Sequence, residues 1–200
     1  MLTKDQIQFT DRYLEKSGIK YMDIRQEMTD HVATALENEE GDFYENFRQY
    51  MVQHKQGLMQ SNRYFKKLAL RRAFGILKDI VLKPVFWFMA MVIFMVSYTA
   101  KQYDITGDTV MYSLEMAGNV IPMMLNLYFI YYWIFKKEVH SVLMRLLLFM
   151  YFGAFIFRIP IISHNTNFLT GYYALYISFY ILLIQSVWQL NQQYKLRYND

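Results

Sequence analysis

Charged residues are distributed so unevenly along this chain that its two parts cannot share one solvent. Residues 1–83 carry 26 of the 38 charged side chains, 14 Lys or Arg and 12 Asp or Glu, and the remaining 117 positions hold only 12. A mean hydropathy of +0.05 is therefore the average of a polar segment and an apolar one, and describes neither. Three Pro and eight Gly leave few breakers, so most of the backbone is expected to be helical. The expected fold is all-α: a small N-terminal cytoplasmic helical domain (1–60), a basic amphipathic connector helix (61–83), a four-helix transmembrane bundle (84–190) and a cytoplasmic tail (191–200).

The four expected spans run at about 84–100, 119–135, 141–162 and 168–190. The first has 17 residues without a charge, close to the minimum for a hydrocarbon core about 30 Å thick. Pro84 suits its first position, where the missing amide has no intrahelical acceptor to lose. The third is bracketed by Arg145 and Arg158, which can snorkel to opposite interfaces. Loop charges set the orientation. Lys136, Lys137 and Arg145 make the loop between spans two and three basic, and Lys195 and Arg197 do the same for the tail. The loop at 101–117 has Asp104, Asp108 and Glu115 against Lys101 alone, and 159–167 has no Lys or Arg. Four crossings put every basic region on one side, with both termini in the cytoplasm. The polar start, Met1-Leu-Thr-Lys-Asp-Gln, lacks the apolar run of a cleavable signal peptide.

Within the N-terminal part, Thr3 followed by Gln6 is a capping-box pattern that opens a first helix, and Ser17-Gly18 closes it. A second helix follows over 23–40, with Ile24, Met28, Val32, Ala35 and Leu36 at helical spacing and Gly41 as its stop. Asp42 with Glu45 opens a third, carried by Phe43, Phe47, Tyr50 and Met51. Three short helices are marginal alone and must bury their stripes together or against a partner. Residues 1–60 hold seven positive and eleven negative side chains, a net charge of −4, which makes them a poor candidate for a phosphate-neutralising surface, and no direct nucleic-acid binding is expected. A cytoplasmic protein partner is expected instead.

The stretch from Tyr21 to Glu37, containing Glu27, Asp30 and His31, followed by Gly41, Phe43, Tyr44 and Phe47, resembles the Glu-x-x-x-His helix and next short helix of bacterial helix-turn-helix-associated alpha-helical signalling domains. The resemblance covers about residues 1–60. It implies a small cytoplasmic module ahead of several transmembrane helices in a bacterial inner membrane, with Glu27, Asp30 and His31 in structural or partner-binding roles.

The connector reverses the charge. Arg63, Lys66, Lys67, Arg71, Arg72, Lys78 and Lys83 stand against Asp79 alone. Ser61 or Asn62 is read as its cap, and Phe65, Leu68, Phe74, Leu77 and Val81 as its apolar face. A basic helix directly before a span suits an anionic lipid surface, each cation contributing about 1 kcal/mol, besides fixing topology.

Chemistry is weakly signalled. Glu27 and His31 lie one turn apart, but the second histidine of a zincin helix is missing, and no cysteine exists to ligate metal or act as a nucleophile. No Gly-x-Ser-x-Gly or phosphate loop is present, so no cofactor is expected and no enzyme. Among intramembrane polar groups, Asn126, Arg145, Arg158, His140, His164, Gln185 and Gln189 are available, and all but Asn126 lie near span ends. Tyr172, Tyr176 and Tyr180 recur every fourth residue and form an aromatic face that can stack on Tyr128, Tyr131 and Tyr132. With Asn126 they define a candidate groove for a lipid or transport path. The leading expectation is a membrane regulatory or scaffold protein. A transporter or channel subunit, homo-oligomeric because four spans enclose little volume, is the alternative. An enzyme centred on His140, Lys136 and Arg145 comes third.

Overall fold

The computed structural model describes residues 2–103, 108–135, 139–156 and 166–198. All of its regular elements are helices: α1 (Lys4–Lys16), α2 (Met22–Leu36), α3 (Phe43–Leu82), α4 (Pro84–Tyr103), α5 (Asp108–Phe135), α6 (Ser141–Ile156) and α7 (Thr166–Tyr198). They form two compact units, Met1–Arg72 with Lys137–Met144, and Ala73–Lys136 with Arg145–Asp200.

The N-terminal unit begins with a closed capping box. The Thr3 amide donates to Gln6 Oε1 at 2.7 Å, and the Gln6 amide donates back to Thr3 Oγ1 at 3.4 Å. At the other end of α1, Gly18 takes φ +98°, and the Ile19 amide reaches back to the Leu14 carbonyl at 3.1 Å. That is a Schellman ending, and its apolar pair, Leu14 and Ile19, is fully buried. Gly41 (φ +107°) turns the chain after α2, and Asp42 Oδ2 accepts the Tyr44 and Glu45 amides at 3.1 Å each to start α3. Ile24, Met28, Val32 and Leu36 of α2 close over Phe43, Phe47, Met51 and Leu58 of α3. Phe9 stands edge-on to Phe43, Tyr44 and Phe47, with centroids 5.1–6.3 Å apart. Across the polar rim, Arg25 Nε donates to Asp11 at 2.6 Å and its guanidinium lies 3.3 Å from Glu15, tying α2 to α1.

Three expectations change here. The helix read as two, with a cap at Ser61 or Asn62, is one of 40 residues. Nothing between Val52 and Arg63 stops a helix: there is no Pro, Gly57 costs under about 1 kcal/mol, and Asn62 is buried mid-helix instead of capping an end. The apolar face read for 61–83 also differs. Phe74 and Val81 are exposed, while Ala69, Ala73 and Ile80 are buried. The second helix ends at Leu36, four residues before the expected Glu40.

In the other unit, α7 packs against α4 and α5, and α4 against α5. The Tyr180 hydroxyl, on a fully buried side chain, donates to the Met150 carbonyl of α6 at 3.1 Å. Gly118 is what lets α5 come close to α7: a Cβ there would lie 3.1 Å from the Tyr173 ring. α4 and the stretch Asn167–Arg197 are long and apolar enough to cross a membrane. Two of the four expected spans are thus supported by length and composition. α5 begins at Asp108, ahead of the expected 119, and within α6 the described residues Ser141–Gly153 form an apolar run.

Candidate functional site

The most constrained polar arrangement in the N-terminal unit joins segments 118 residues apart in sequence. Its origin is a pair of incomplete helix ends. The first amides of any helix have no intrahelical acceptor and need one from elsewhere. α2 begins at Met22 after Tyr21, whose side chain makes no capping hydrogen bond. The Val139 carbonyl fills the place, accepting from the Met22 amide at 3.0 Å, and Tyr21 and Val139 form an isolated parallel bridge. α6 begins at Ser141, and its first amide donates to Asp23 Oδ1 at 3.0 Å while the Ser141 hydroxyl donates to Asp23 Oδ2 at 2.5 Å. Each helix start therefore caps the other. The Met144 amide donates to the His140 carbonyl at 3.0 Å, completing the first turn of α6.

Electrostatics reinforce the geometry. Each helix N-terminus carries roughly half a positive charge, and one carboxylate set between two such ends is stabilised by both. Lys66 of α3 brings a further positive charge, its ammonium 5.7 Å above the Tyr21 ring. His140, Ser141, Val142 and Leu143 are all buried, so the connection is seated and not merely touching. Nearby polar atoms are less well served. Gln26, one turn along α2 from Asp23, has a buried Oε1 without a hydrogen-bond partner, as do Thr29 Oγ1 and, one turn before Lys66, Asn62 Oδ1.

The residues singled out from sequence fall elsewhere. Glu27, Asp30 and His31 are all exposed on the outer side of α2. The polar contact between α1 and α2 is made by Arg25, not by Asp30 or His31. On α3, Arg63, Lys67, Arg71 and Lys78 lie within about 80° of one another on a helical wheel, opposite the stripe of Leu58, Asn62, Ala69, Ala73 and Ile80. Arg72 and Lys83 are exposed to one side, and Lys66 is half-buried over Tyr21. Tyr172, Tyr176 and Tyr180 do form a continuous ladder, with centroids 6.1 Å and then 4.7 Å apart. Tyr128 and Tyr131 are exposed. The side chains of Asn126 and Tyr132, and residues Lys136, Lys137, Arg158 and His164, lie outside the described residues. Arg145 is half-buried, with its Nε unpartnered. Burial raises the pKa of Tyr50, which packs on the N-terminal core, above its ordinary value. No group of three or more metal-ligating side chains occurs among the described residues.

No protein family, curated protein or solved structure matches the chain.

Proposed function

We propose that this chain is a multi-pass regulatory or scaffold protein of a bacterial inner membrane. In this reading α4 to α7 cross the bilayer, and the acidic N-terminal helices form a cytoplasmic module of the helix-turn-helix-associated alpha-helical signalling type. The supporting observation is α4. It is 20 residues long, about 30 Å, yet only 17% of its most apolar stretch is buried. Trp87, Phe88, Met91, Met95 and Val96 all face outward. An apolar helix that the rest of the protein does not cover needs an apolar solvent. The basic arc on α3, whose last cation Lys78 lies six residues before the Pro84 start of that helix, suits an anionic cytoplasmic leaflet.

The module has a closed core and keeps Glu27, Asp30 and His31 in water, so they are free to meet a partner protein. Two measurements test the reading. The chain should stay with membranes through alkaline carbonate extraction, with tags at both ends protected in intact spheroplasts; release into the wash, or tags on opposite faces, refutes it. Full-length protein purified in detergent should retain a specific co-purifying partner that Glu27→Lys with Asp30→Lys releases. Recovery of no specific protein would argue against the interaction role and leave the topology standing.

A further inference from the structure

We infer that Val139 and the start of α6 at Ser141 are docked on the cytoplasmic module by a reciprocal-capping clasp, closed by Asp23, that links the start of span α6 to the state of that module. The inference rests on the topology proposed above, which places both parties on the same side of the bilayer.

Three features let the contact open although His140, Ser141, Val142 and Leu143 are buried. First, its polar part is held by few, directional bonds: Met22 amide to Val139 carbonyl, and the two bonds from Ser141 to Asp23. Second, removing the Asp23 charge leaves two positive helix ends together without a counter-charge, so opening is favoured by the same groups that make closing specific. Third, Gln26 Oε1 and Thr29 Oγ1 of α2, the helix that carries Asp23, and Asn62 Oδ1 of α3 are buried without partners. Water reaches them only if the packing loosens, which lowers the free-energy gap between the closed and open states. Because α2 also carries the exposed Glu27, Asp30 and His31, a partner bound there in preference to one state shifts the clasp, and the clasp reciprocally shifts partner affinity.

The chain contains no cysteine, so a pair introduced at the bridge, Tyr21→Cys with Val139→Cys, reports closure by disulfide formation without competing thiols. The experiment uses the full chain in native membrane vesicles, oxidised with copper phenanthroline. Rapid intramolecular cross-linking is expected, falling at least fivefold when Asp23→Asn is added and by a smaller factor with Ser141→Ala, which leaves α2 untouched. Unchanged cross-linking in both added variants overturns the clasp. Since Asp23→Asn could unfold the module, protease resistance of α1 and α2 is measured in parallel; slow cross-linking with a resistant module supports the clasp, whereas loss of resistance in both variants at once refutes its being separable from the fold. Labelling of the single cysteines with a membrane-impermeant maleimide separates the two levels of the argument. Cysteines 21 and 139 labelled from opposite faces would defeat the topology, while labelling from the same face with no cross-link would defeat the clasp alone.

Discussion

Replacing Met91 by Lys separates lipid from water as the medium around α4, because the two media give the change opposite signs. Met91 is 65% exposed and lies seven residues into a 20-residue helix, about 10 Å along its axis. In water, exchanging an outward-facing thioether for an ammonium removes apolar surface and is neutral or slightly stabilising. In a bilayer, the ammonium sits too deep for its side chain to reach the interface cheaply, and insertion scales put a mid-helix Lys at about 2.5–3.5 kcal/mol. At 1.4 kcal/mol per factor of ten, that is roughly a hundredfold against the inserted state. Trp87, 55% exposed and only about 4.5 Å from the helix start, supplies the control, since Lys there can snorkel. The assay is accumulation of carbonate-resistant full-length protein, with the monodispersity of a fluorescent fusion in detergent. Met91→Lys should lose most of the inserted material and Trp87→Lys little. Wild-type levels for Met91→Lys would mean that the exposed face of α4 meets water, and the membrane assignment would fail with it.

Glycines in the N-terminal unit should respond with opposite signs. Gly18→Ala forces a Cβ into φ +98° and should cost about 1–2 kcal/mol, whereas Gly57→Ala, mid-helix with nothing within 4 Å of the new carbon, should gain about 0.5–1 kcal/mol; amide hydrogen exchange in α1 and α3 reads both, and a loss at Gly57 would mean α3 is broken there. Gly118→Ala drives a methyl to 3.1 Å from the Tyr173 ring and should destabilise the α5–α7 contact by about 1–3 kcal/mol, while Gly171→Ala, whose nearest atom is Phe94 at 3.8 Å, should be tolerated; thermal melting in detergent distinguishes them. Tyr50 should contribute an alkaline transition. Burial favours its neutral phenol, so that stability is complete below about pH 10 and is lost as pH climbs through the raised folded-state pKa, and Tyr50→Phe should remove that component from a circular-dichroism titration.

Helix ends in the N-terminal unit were readable because their causes are local. Thr3 with Gln6, Gly18 and Asp42 each act within about five residues, and each stands where its chemistry requires, whereas α2 ends at Leu36, short of the Gly41 read as its stop. The second-helix stripe of Ile24, Met28 and Val32 was equally plain, since its burial follows from spacing. Reading a boundary at Ser61-Asn62 failed for a related reason. A polar pair has the chemistry of a cap, but capping also needs a chain that arrives in a non-helical conformation, and the residues before Ser61 have no reason to leave the helix. The buried alanines of α3, Ala69 and Ala73, were hidden because a search for large apolar side chains passes over small ones. For the apolar half, length and charge identified the stretches in α4 and α7 that can span a bilayer, while the start of α5 ran back past the neutral segment to Asp108. Tyrosine spacing gave the ladder at Tyr172, Tyr176 and Tyr180, but not the hydrogen bond from Tyr180 to Met150 that fixes one end of it.

Asp23 shows where one-dimensional reading stops. In sequence it is an acid in the first turn of a helix, a position whose own dipole explains its presence fully. Nothing in the residues around it signals a second helix end, and nothing around Ser141 signals the missing cap. Yet the two deficits match: α2 lacks a side-chain acceptor at Tyr21, α6 takes its acceptor from another helix, and the exchange satisfies both through three hydrogen bonds. A module with so small a core gains disproportionately from such an exchange, because each satisfied helix end is a larger share of what holds it together. Residues 139–144 consequently behave as a fourth element of the N-terminal unit although they follow it by more than fifty positions. Any deletion that removes only the apolar half should leave α2 uncapped, so a truncated N-terminal fragment is a poorer measure of the module than the intact chain carrying a defect at Asp23.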